Sequence, residues 1–131
     1  MKATARRVGD SLKHEIEVGG HRLVADEPSQ VGGTDAGPSP QQLLAASLAS
    51  CTAVTVEMYA RRKGWDIGEL TVDVDYEPAQ RGSPTRFKMN VNLPSHLDPE
   101  QQERLMQIAA RCPVHRTLEG EVMFDEQLNA D

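Results

Sequence analysis

The sequence predicts an α+β fold, and three observations support that prediction. Short runs separated by turn residues occupy the first 25 residues, and runs that alternate apolar and polar side chains lie between residues 70 and 93, as expected of strands. A long apolar stretch at residues 40–63 and an amphipathic one at residues 98–112 both begin with helix-capping residues. The length of 131 residues suits one domain, so we expect residues 1–131 to form a single domain.

The N-terminal segment is predicted to contain three strands. Residues 2–8 and 12–18 form two short runs joined at Gly9-Asp10, a turn pair typical of hairpins. A third strand is expected at residues 21–25. Residues 26–40 are rich in Gly, Pro, Ser and Asp, which predicts a loop that leads into the long helix.

The long helix is predicted at residues 40–63. Ser39-Pro40 can cap its start, and Gly64 ends it. Its first two-thirds are apolar on nearly every side, so we expect a helix buried all round. Because one chain of this size would struggle to cover it, a homodimer is expected. The stretch is long enough for a membrane span, but its Ser, Thr and Glu residues favour burial in protein.

The second half is predicted to contain a hairpin, a second helix and a last strand. Residues 70–76 and 86–93 alternate apolar and polar side chains, which indicates two paired strands. Asp98-Pro99-Glu100 opens the second helix, which we expect to carry Cys112 at its C-terminal end and to stop at Pro113. A final strand is expected at residues 121–124.

The overall charge narrows the range of partners. The chain has 20 acidic and 14 basic residues, a formal net charge of −6. This balance argues against nucleic acid or an anionic membrane as the main partner. The N-terminus has no apolar region typical of a secretion signal, so a cytoplasmic location is expected.

The two cysteines, Cys51 and Cys112, are the candidate chemical groups. They lie 61 positions apart, which excludes a CxxC motif or a zinc knuckle. Each is predicted on the apolar face of its helix, where the two could approach within disulfide range. The alternative is that both are small core residues, since free Cys is often buried. Neither was expected at a helix N-terminus, so activation would require a cation such as Arg22 or His115.

Two segments carry a resemblance to a known family. GGTDAGPSPQQLLAASLASCTAVTVEMYARRKGWDI and RCPVHRTLEGEV resemble the two cysteine motifs of the OsmC/Ohr family, in its generic OsmC-like branch. The resemblance implies an OsmC-like fold and an intertwined homodimer. It also implies that Cys51 is a peroxidatic thiolate, that Cys112 resolves its sulfenate to a disulfide, and that a dithiol or lipoyl protein restores both. No metal or organic cofactor is implied.

The sequence departs from the family pattern at two supporting positions. Members that reduce hydroperoxides have a Glu near the start of the long helix, where this chain has Gln41 and Gln42. They also have an Arg in the segment before that helix, whereas here Arg22 is the last Arg before Cys51. Two hypotheses therefore stand: a thiol peroxidase acting on organic hydroperoxides or hydrogen peroxide, and a non-catalytic small-molecule-binding protein of the stress response.

Overall fold

The computed structural model describes residues 1–130 and confirms the α+β class. Within those residues it has five strands, three α-helices and one 3-10 helix. In chain order they are β1 (Ala3–Arg7), β2 (His14–Val18), β3 (His21–Ala25), the 3-10 helix (Ser29–Val31), α1 (Pro40–Lys63), β4 (Thr71–Glu77), β5 (Arg86–Asn92), α2 (Pro99–Ala109) and α3 (Pro113–Glu119).

The described chain divides into two compact units. The first combines Met1–Ala46 with Tyr76–Arg86, and the second combines Ser47–Asp75 with the chain from Phe87 onward. Both cysteines belong to the second unit. The first contains Arg22, Gln41 and Gln42.

The first unit is built on an antiparallel sheet in the order β1-β2-β3. Ala3 pairs with Val18 across β1 and β2, and Val18 in turn pairs with His21 across β2 and β3. The turn between β2 and β3 is Gly19-Gly20, both with positive φ, a conformation that hairpin turns need and glycine adopts without strain. The three predicted strands and their order are confirmed.

The loop after β3 is organised by one buried carboxylate. Asp26 accepts hydrogen bonds from the backbone N–H groups of Glu27, Thr34 and Ala36 and from the Thr34 hydroxyl, at 2.8–3.2 Å. The bonds from Ala36 and Thr34 are the main reason that the pKa of Asp26 falls to about 2. The predicted loop is therefore an ordered structure that depends on an ionised Asp26.

Strands β4 and β5 form the second, two-stranded sheet, as predicted. Burial alternates along both strands, so one face is covered and the other is exposed. On the exposed face, the Asn92 amide donates to the Thr71 hydroxyl at 2.9 Å and to the Asp73 carboxylate at 3.0 Å. These cross-strand bonds fix the register at the open end of the hairpin.

The core of the second unit is formed by α1, α2 and the segments that flank them. It contains buried Val56, Ala60, Ile67, Leu97, Leu105 and Ala109. Helix α2 starts at a capping box in which the Asp98 carboxylate accepts from the Gln101 N–H and the Gln101 side chain accepts from the Asp98 N–H. The predicted start of this helix is confirmed.

Helix α1 has the predicted bounds. In the single chain one side of it is buried, and the predicted cover of its other side by a second subunit stays a prediction. Only Leu48, Thr52, Val56 and Ala60 are fully buried. They recur every four residues and so form one stripe along the helix. Val54 and Met58 are 53% and 60% exposed, because the surrounding elements cover only one side.

By length and composition alone, α1 also qualifies as a membrane-crossing helix. Its mean hydropathy is 1.4, and 22% of the apolar window is buried. A core helix passes the same test, and Val56 and Ala60 of the buried stripe pack in the core of the second unit. Packing against protein accounts for the buried side of α1 and leaves Val54 and Met58 uncovered in the single chain.

The predictions at the C-terminal end need two corrections. Helix α2 ends at Ala109, and Cys112 is instead the N-cap residue of α3, a helix that was not predicted. Pro113 explains the difference, because a proline that stops one helix also fits the first turn of the next. The strand expected at residues 121–124 is absent, since no strand of the described chain pairs with this segment.

Candidate thiol site

Cys51 lies in the middle of α1, beside its buried stripe. Its side chain is half-buried, whereas the next residue, Thr52, is completely buried. One turn later, Thr55 brings its hydroxyl to the Cys51 thiol and lowers the pKa of that thiol. The helix therefore gives Cys51 partial access to solvent and a local hydrogen-bonding partner.

Cys112 lies at the N-terminal end of α3 and is fully buried. Its sulfur accepts a hydrogen bond from the backbone N–H of His115 at 3.2 Å and from the Thr52 hydroxyl at 3.6 Å. Both distances lie in the usual range for bonds to sulfur, which is larger than oxygen. The two donors hold the buried Cys112 sulfur in a defined position.

The two thiols interact directly. The pKa of Cys51 lies above its ordinary value, first because burial disfavours the thiolate and then because the adjacent Cys112 thiol raises it further. The backbone N–H of Val114 and the Thr55 hydroxyl act in the opposite direction. Of these influences on Cys51, none is a cation. Both cysteines are free thiols in this structure.

The first turn of α3 provides backbone hydrogen-bond donors for both sulfurs. Consecutive backbone N–H groups, from Val114 and His115, are directed to Cys51 and Cys112 respectively. Because Pro113 carries no N–H, these are the first free donors of the helix. The first turn of α3 therefore supplies one backbone donor to each of the two sulfurs.

The other residues predicted to support the site have different partners. Arg22, in the first unit, lies 3.4 Å from Glu15 and 3.5 Å from Glu17 and is largely exposed. Gln42 forms a capping box with Ser39 at the start of α1. Gln41 is exposed. Their participation in thiol chemistry stays a prediction.

His115 contacts the site through its backbone. Its ring Nδ1 lies 2.9 Å from Glu119 Oε1, close enough for an ion pair when the imidazole is protonated. The two groups are poorly aligned for a hydrogen bond, however, which leaves this buried nitrogen without a well-formed one. The structure thus assigns the sulfur contact to the His115 N–H, and the imidazole faces Glu119.

Three groups at the site were missed by the sequence reasoning: Thr52, Thr55 and the Val114 N–H. Thr52 had a detectable signal, because it falls between Leu48 and Val56 at a spacing of four and is the polar member of that stripe. A hydroxyl predicted on a buried stripe needs a partner. Thr55 lies four residues after Cys51 and so falls on the same face of α1, but this spacing does not indicate a bond to sulfur, and a backbone donor has no sequence signal.

Comparison with known proteins agrees with this architecture. The OsmC-like protein family matches residues 33–127. An uncharacterized protein of Haloferax volcanii is 27% identical over 111 residues, which are 82% of this chain and 84% of that protein.

Two solved structures share the fold. A Psychrobacter arcticus protein, named for an inferred role in osmotic stress and detoxification, has a TM-score of 0.76 at 25% identity, covering 89% of this chain and 87% of its own. The organic hydroperoxide resistance protein OhrB of Bacillus subtilis has a TM-score of 0.59 at 24% identity, covering 91% and 90%. With the family match spanning most of the sequence, this chain belongs to the OsmC-like protein family.

Proposed function

We propose that this protein is a cysteine-dependent hydroperoxide reductase in which Cys51 is oxidised first and Cys112 resolves the product. The observation that carries the proposal is the direct interaction of a half-buried Cys51 with a fully buried Cys112. Two free thiols held side by side are the arrangement that a sulfenate-to-disulfide cycle requires. Membership of the OsmC-like family supports the same chemistry.

The oxidative half of the cycle is a balanced two-step reaction. The Cys51 thiolate attacks the terminal oxygen of a hydroperoxide, the O–O bond breaks, and the alcohol leaves after taking up a proton. Cys51 then carries a sulfenic acid, which the Cys112 sulfur attacks to form the Cys51–Cys112 disulfide and release water. A dithiol, for instance on a lipoyl protein, reduces the disulfide and is itself oxidised.

Access favours Cys51 as the first residue to react. Its side chain is half-buried, whereas Cys112 has no exposed surface. The Val114 N–H and the Thr55 hydroxyl stabilise the thiolate, while burial and the neighbouring thiol oppose it. We therefore expect turnover at neutral pH to be limited by the thiolate fraction and to rise with pH.

The protein is proposed to work as a homodimer. Val54 and Met58 leave an apolar part of α1 uncovered in the single chain, and burying such a surface stabilises association. A second copy of this chain is the partner we propose for it.

A peroxide-consumption assay tests the proposal. Wild type and the variants Cys51→Ser, Cys112→Ser and Ser50→Ala would be compared with cumene hydroperoxide and reduced lipoamide. We expect Cys51→Ser to abolish turnover. Cys112→Ser should permit one oxidation and then accumulate over-oxidised Cys51, detected by mass spectrometry. Ser50→Ala alters an exposed neighbour on α1 and should retain wild-type turnover.

The proposed peroxidase activity would be overturned if Cys51→Ser consumed peroxide at the wild-type rate. It would also be overturned if the wild type consumed no peroxide with any dithiol. The small-molecule-binding hypothesis would then take its place. The first unit contains a pocket of about 400 Å³ whose lining includes Leu12, Ile16 and Leu43. An apolar fluorescent probe would show whether this pocket takes up a ligand.

A further inference from the structure

We infer that the reductant attacks Cys51 when the disulfide is reduced, and that Thr52 is a positioning residue whose hydroxyl stabilises Cys112 as the leaving group. This inference rests on the proposed Cys51–Cys112 disulfide. It states which sulfur the reductant attacks, and it gives a role to Thr52, which does not itself react.

The first argument is the set of donors around Cys112. Its sulfur is held by the His115 N–H at 3.2 Å and by the Thr52 hydroxyl at 3.6 Å. Thiol–disulfide exchange is faster when the sulfur that departs is the better-stabilised thiolate. Cys51 has a corresponding pair of donors, the Val114 N–H and the Thr55 hydroxyl, so the Thr52 hydroxyl assists the departure of Cys112 and access decides which sulfur is attacked.

The second argument is access. An attacking thiolate must reach one sulfur of the disulfide from the side opposite the other sulfur. Cys112 has 0% exposed surface, whereas Cys51 retains some. Attack at Cys51 therefore requires less opening of the core than attack at Cys112.

The reductive step balances as follows. The reductant thiolate attacks the Cys51 sulfur, the Cys51–Cys112 bond breaks, and Cys112 leaves as a thiolate. Cys51 is then in a mixed disulfide with the reductant. The second thiol of a dithiol attacks the reductant's own sulfur, releases the Cys51 thiolate and leaves as the cyclic disulfide. Two electrons pass from the dithiol to the two cysteines.

A simpler alternative is that Thr52 only stabilises the fold. A completely buried hydroxyl costs free energy unless it is hydrogen-bonded, and the Cys112 sulfur is its partner here. That role alone would affect folding and would leave the choice of attacked sulfur unchanged. The structural role and the positioning role therefore predict different rates of disulfide reduction in a Thr52 variant, and that rate can be measured.

The experiment begins from a disulfide formed with diamide, so that it does not depend on peroxide turnover. The oxidised protein is treated briefly with 2-mercaptoethanol, quenched with N-ethylmaleimide and mapped by mass spectrometry. We expect the mixed disulfide on Cys51 and the maleimide on Cys112. A mixed disulfide predominantly on Cys112, or no Cys51–Cys112 disulfide with diamide, would overturn the inference.

Variants at Thr52 test its role in the same assay. Thr52→Val keeps the shape but removes the hydroxyl, and we expect reduction to slow about fivefold, the effect of one ordinary hydrogen bond. Thr52→Ser restores the donor and should recover the rate. Ser50→Ala, which removes an exposed hydroxyl from the same helix, is the matched control and should be reduced at the wild-type rate.

These assays separate failure of the Thr52 role from failure of the proposed peroxidase function. A Thr52→Val protein that melts at a lower temperature but is reduced at the wild-type rate would confine Thr52 to folding and overturn its positioning role. If diamide forms the disulfide and peroxide does not, the proposed peroxidase function fails, and the direction of reduction is still decided by the mapping.

Discussion

At the scale of single residues, the two thiols differ because different groups surround them. Cys112 is completely buried and its sulfur has two hydrogen-bond donors, His115 N–H and Thr52 Oγ1. Cys51 is more accessible, but burial and the neighbouring thiol raise its pKa. Both sulfurs therefore have hydrogen-bond donors, and Cys51 is the one that a substrate can reach.

The first prediction concerns the pH dependence of Cys51. Because its pKa is raised, we expect its alkylation by iodoacetamide to increase with pH up to a midpoint above the ordinary thiol value of about 8.5. Thr55→Val removes a group that lowers this pKa, so its midpoint should move higher. Peptide mapping of alkylated Cys51 from pH 6 to 10, at ~0.5 unit intervals, measures both.

The control for this measurement is Thr85→Val, at an exposed position in the first unit. Its alkylation profile should match that of wild type. A Cys51 midpoint well below about 8.5 would contradict the raised pKa.

The second prediction concerns Asp26. Its pKa is lowered to about 2 in the folded protein, below the unfolded value of about 3.9. Its contribution to stability is therefore fully present above pH ~4 and is lost as the pH falls toward ~2. Asp26→Asn should lower the urea midpoint at neutral pH. It should also reduce the fall of that midpoint as the pH drops from ~4 to ~2.

Asp35→Asn provides the matched control for Asp26→Asn. It removes the same charge from the same loop, and Asn tolerates the positive φ of 54° found there. We expect a near wild-type urea midpoint. Equal destabilisation by the two substitutions would contradict a special role for Asp26.

At the scale of elements, the loop before α1 depends on close backbone approach as well as on Asp26. A Cβ atom at Gly33 would overlap the Glu27 carbonyl and lie 2.9 Å from Asp26 Oδ1. One at Gly37 would lie 2.5 Å from the Val24 carbonyl oxygen. Both conflicts involve backbone atoms, which cannot move aside as a flexible side chain can.

The third prediction follows from this packing. Gly33→Ala should reduce the free energy of unfolding by about 2 kcal/mol or more, since the loop must shift to admit the methyl group. Gly120→Ala is the control, because its φ is −92° and the new Cβ would lie 3.4 Å from its nearest neighbour. Urea denaturation of both variants would measure the difference, and equal stability would contradict the prediction.

At the scale of the whole molecule, the uncovered side of α1 and the apolar C-terminal segment need explanation. Val54 and Met58 on the helix and Met123, Phe124 and Leu128 near the C-terminus are exposed in the single chain. Large apolar side chains gathered at a surface usually mark a site of association. We therefore expect the stable form in solution to be larger than one chain.

The fourth prediction is the mass of the assembly. Sedimentation at micromolar concentration should give about twice the chain mass of 14.4 kDa. Val54→Lys places a charge on the exposed side of α1 and should shift the protein toward the monomer. Val31→Lys changes an exposed valine of the 3-10 helix and should leave the mass unchanged. A stable wild-type monomer would contradict the homodimer.

The sequence by itself determined the elements whose signals are local. Turn residues marked the first three strands, alternation marked β4 and β5, and Ser39-Pro40 with Gly64 marked the bounds of α1, because turns, pleating and capping act over a few residues. The two cysteine motifs indicated the family, and the family match confirms it. Which residues carry the chemistry was indicated by the same motifs and stays a prediction.

Only the tertiary structure decided the relations between distant segments. It placed Cys112 at the start of α3 rather than at the end of α2, and put Thr52, 60 positions earlier, against its sulfur. It also showed that Asp26 binds the loop that follows it and that residues 121–124 have no strand partner within the described chain. These features depend on which groups meet after packing, and a local pattern along the chain does not encode that.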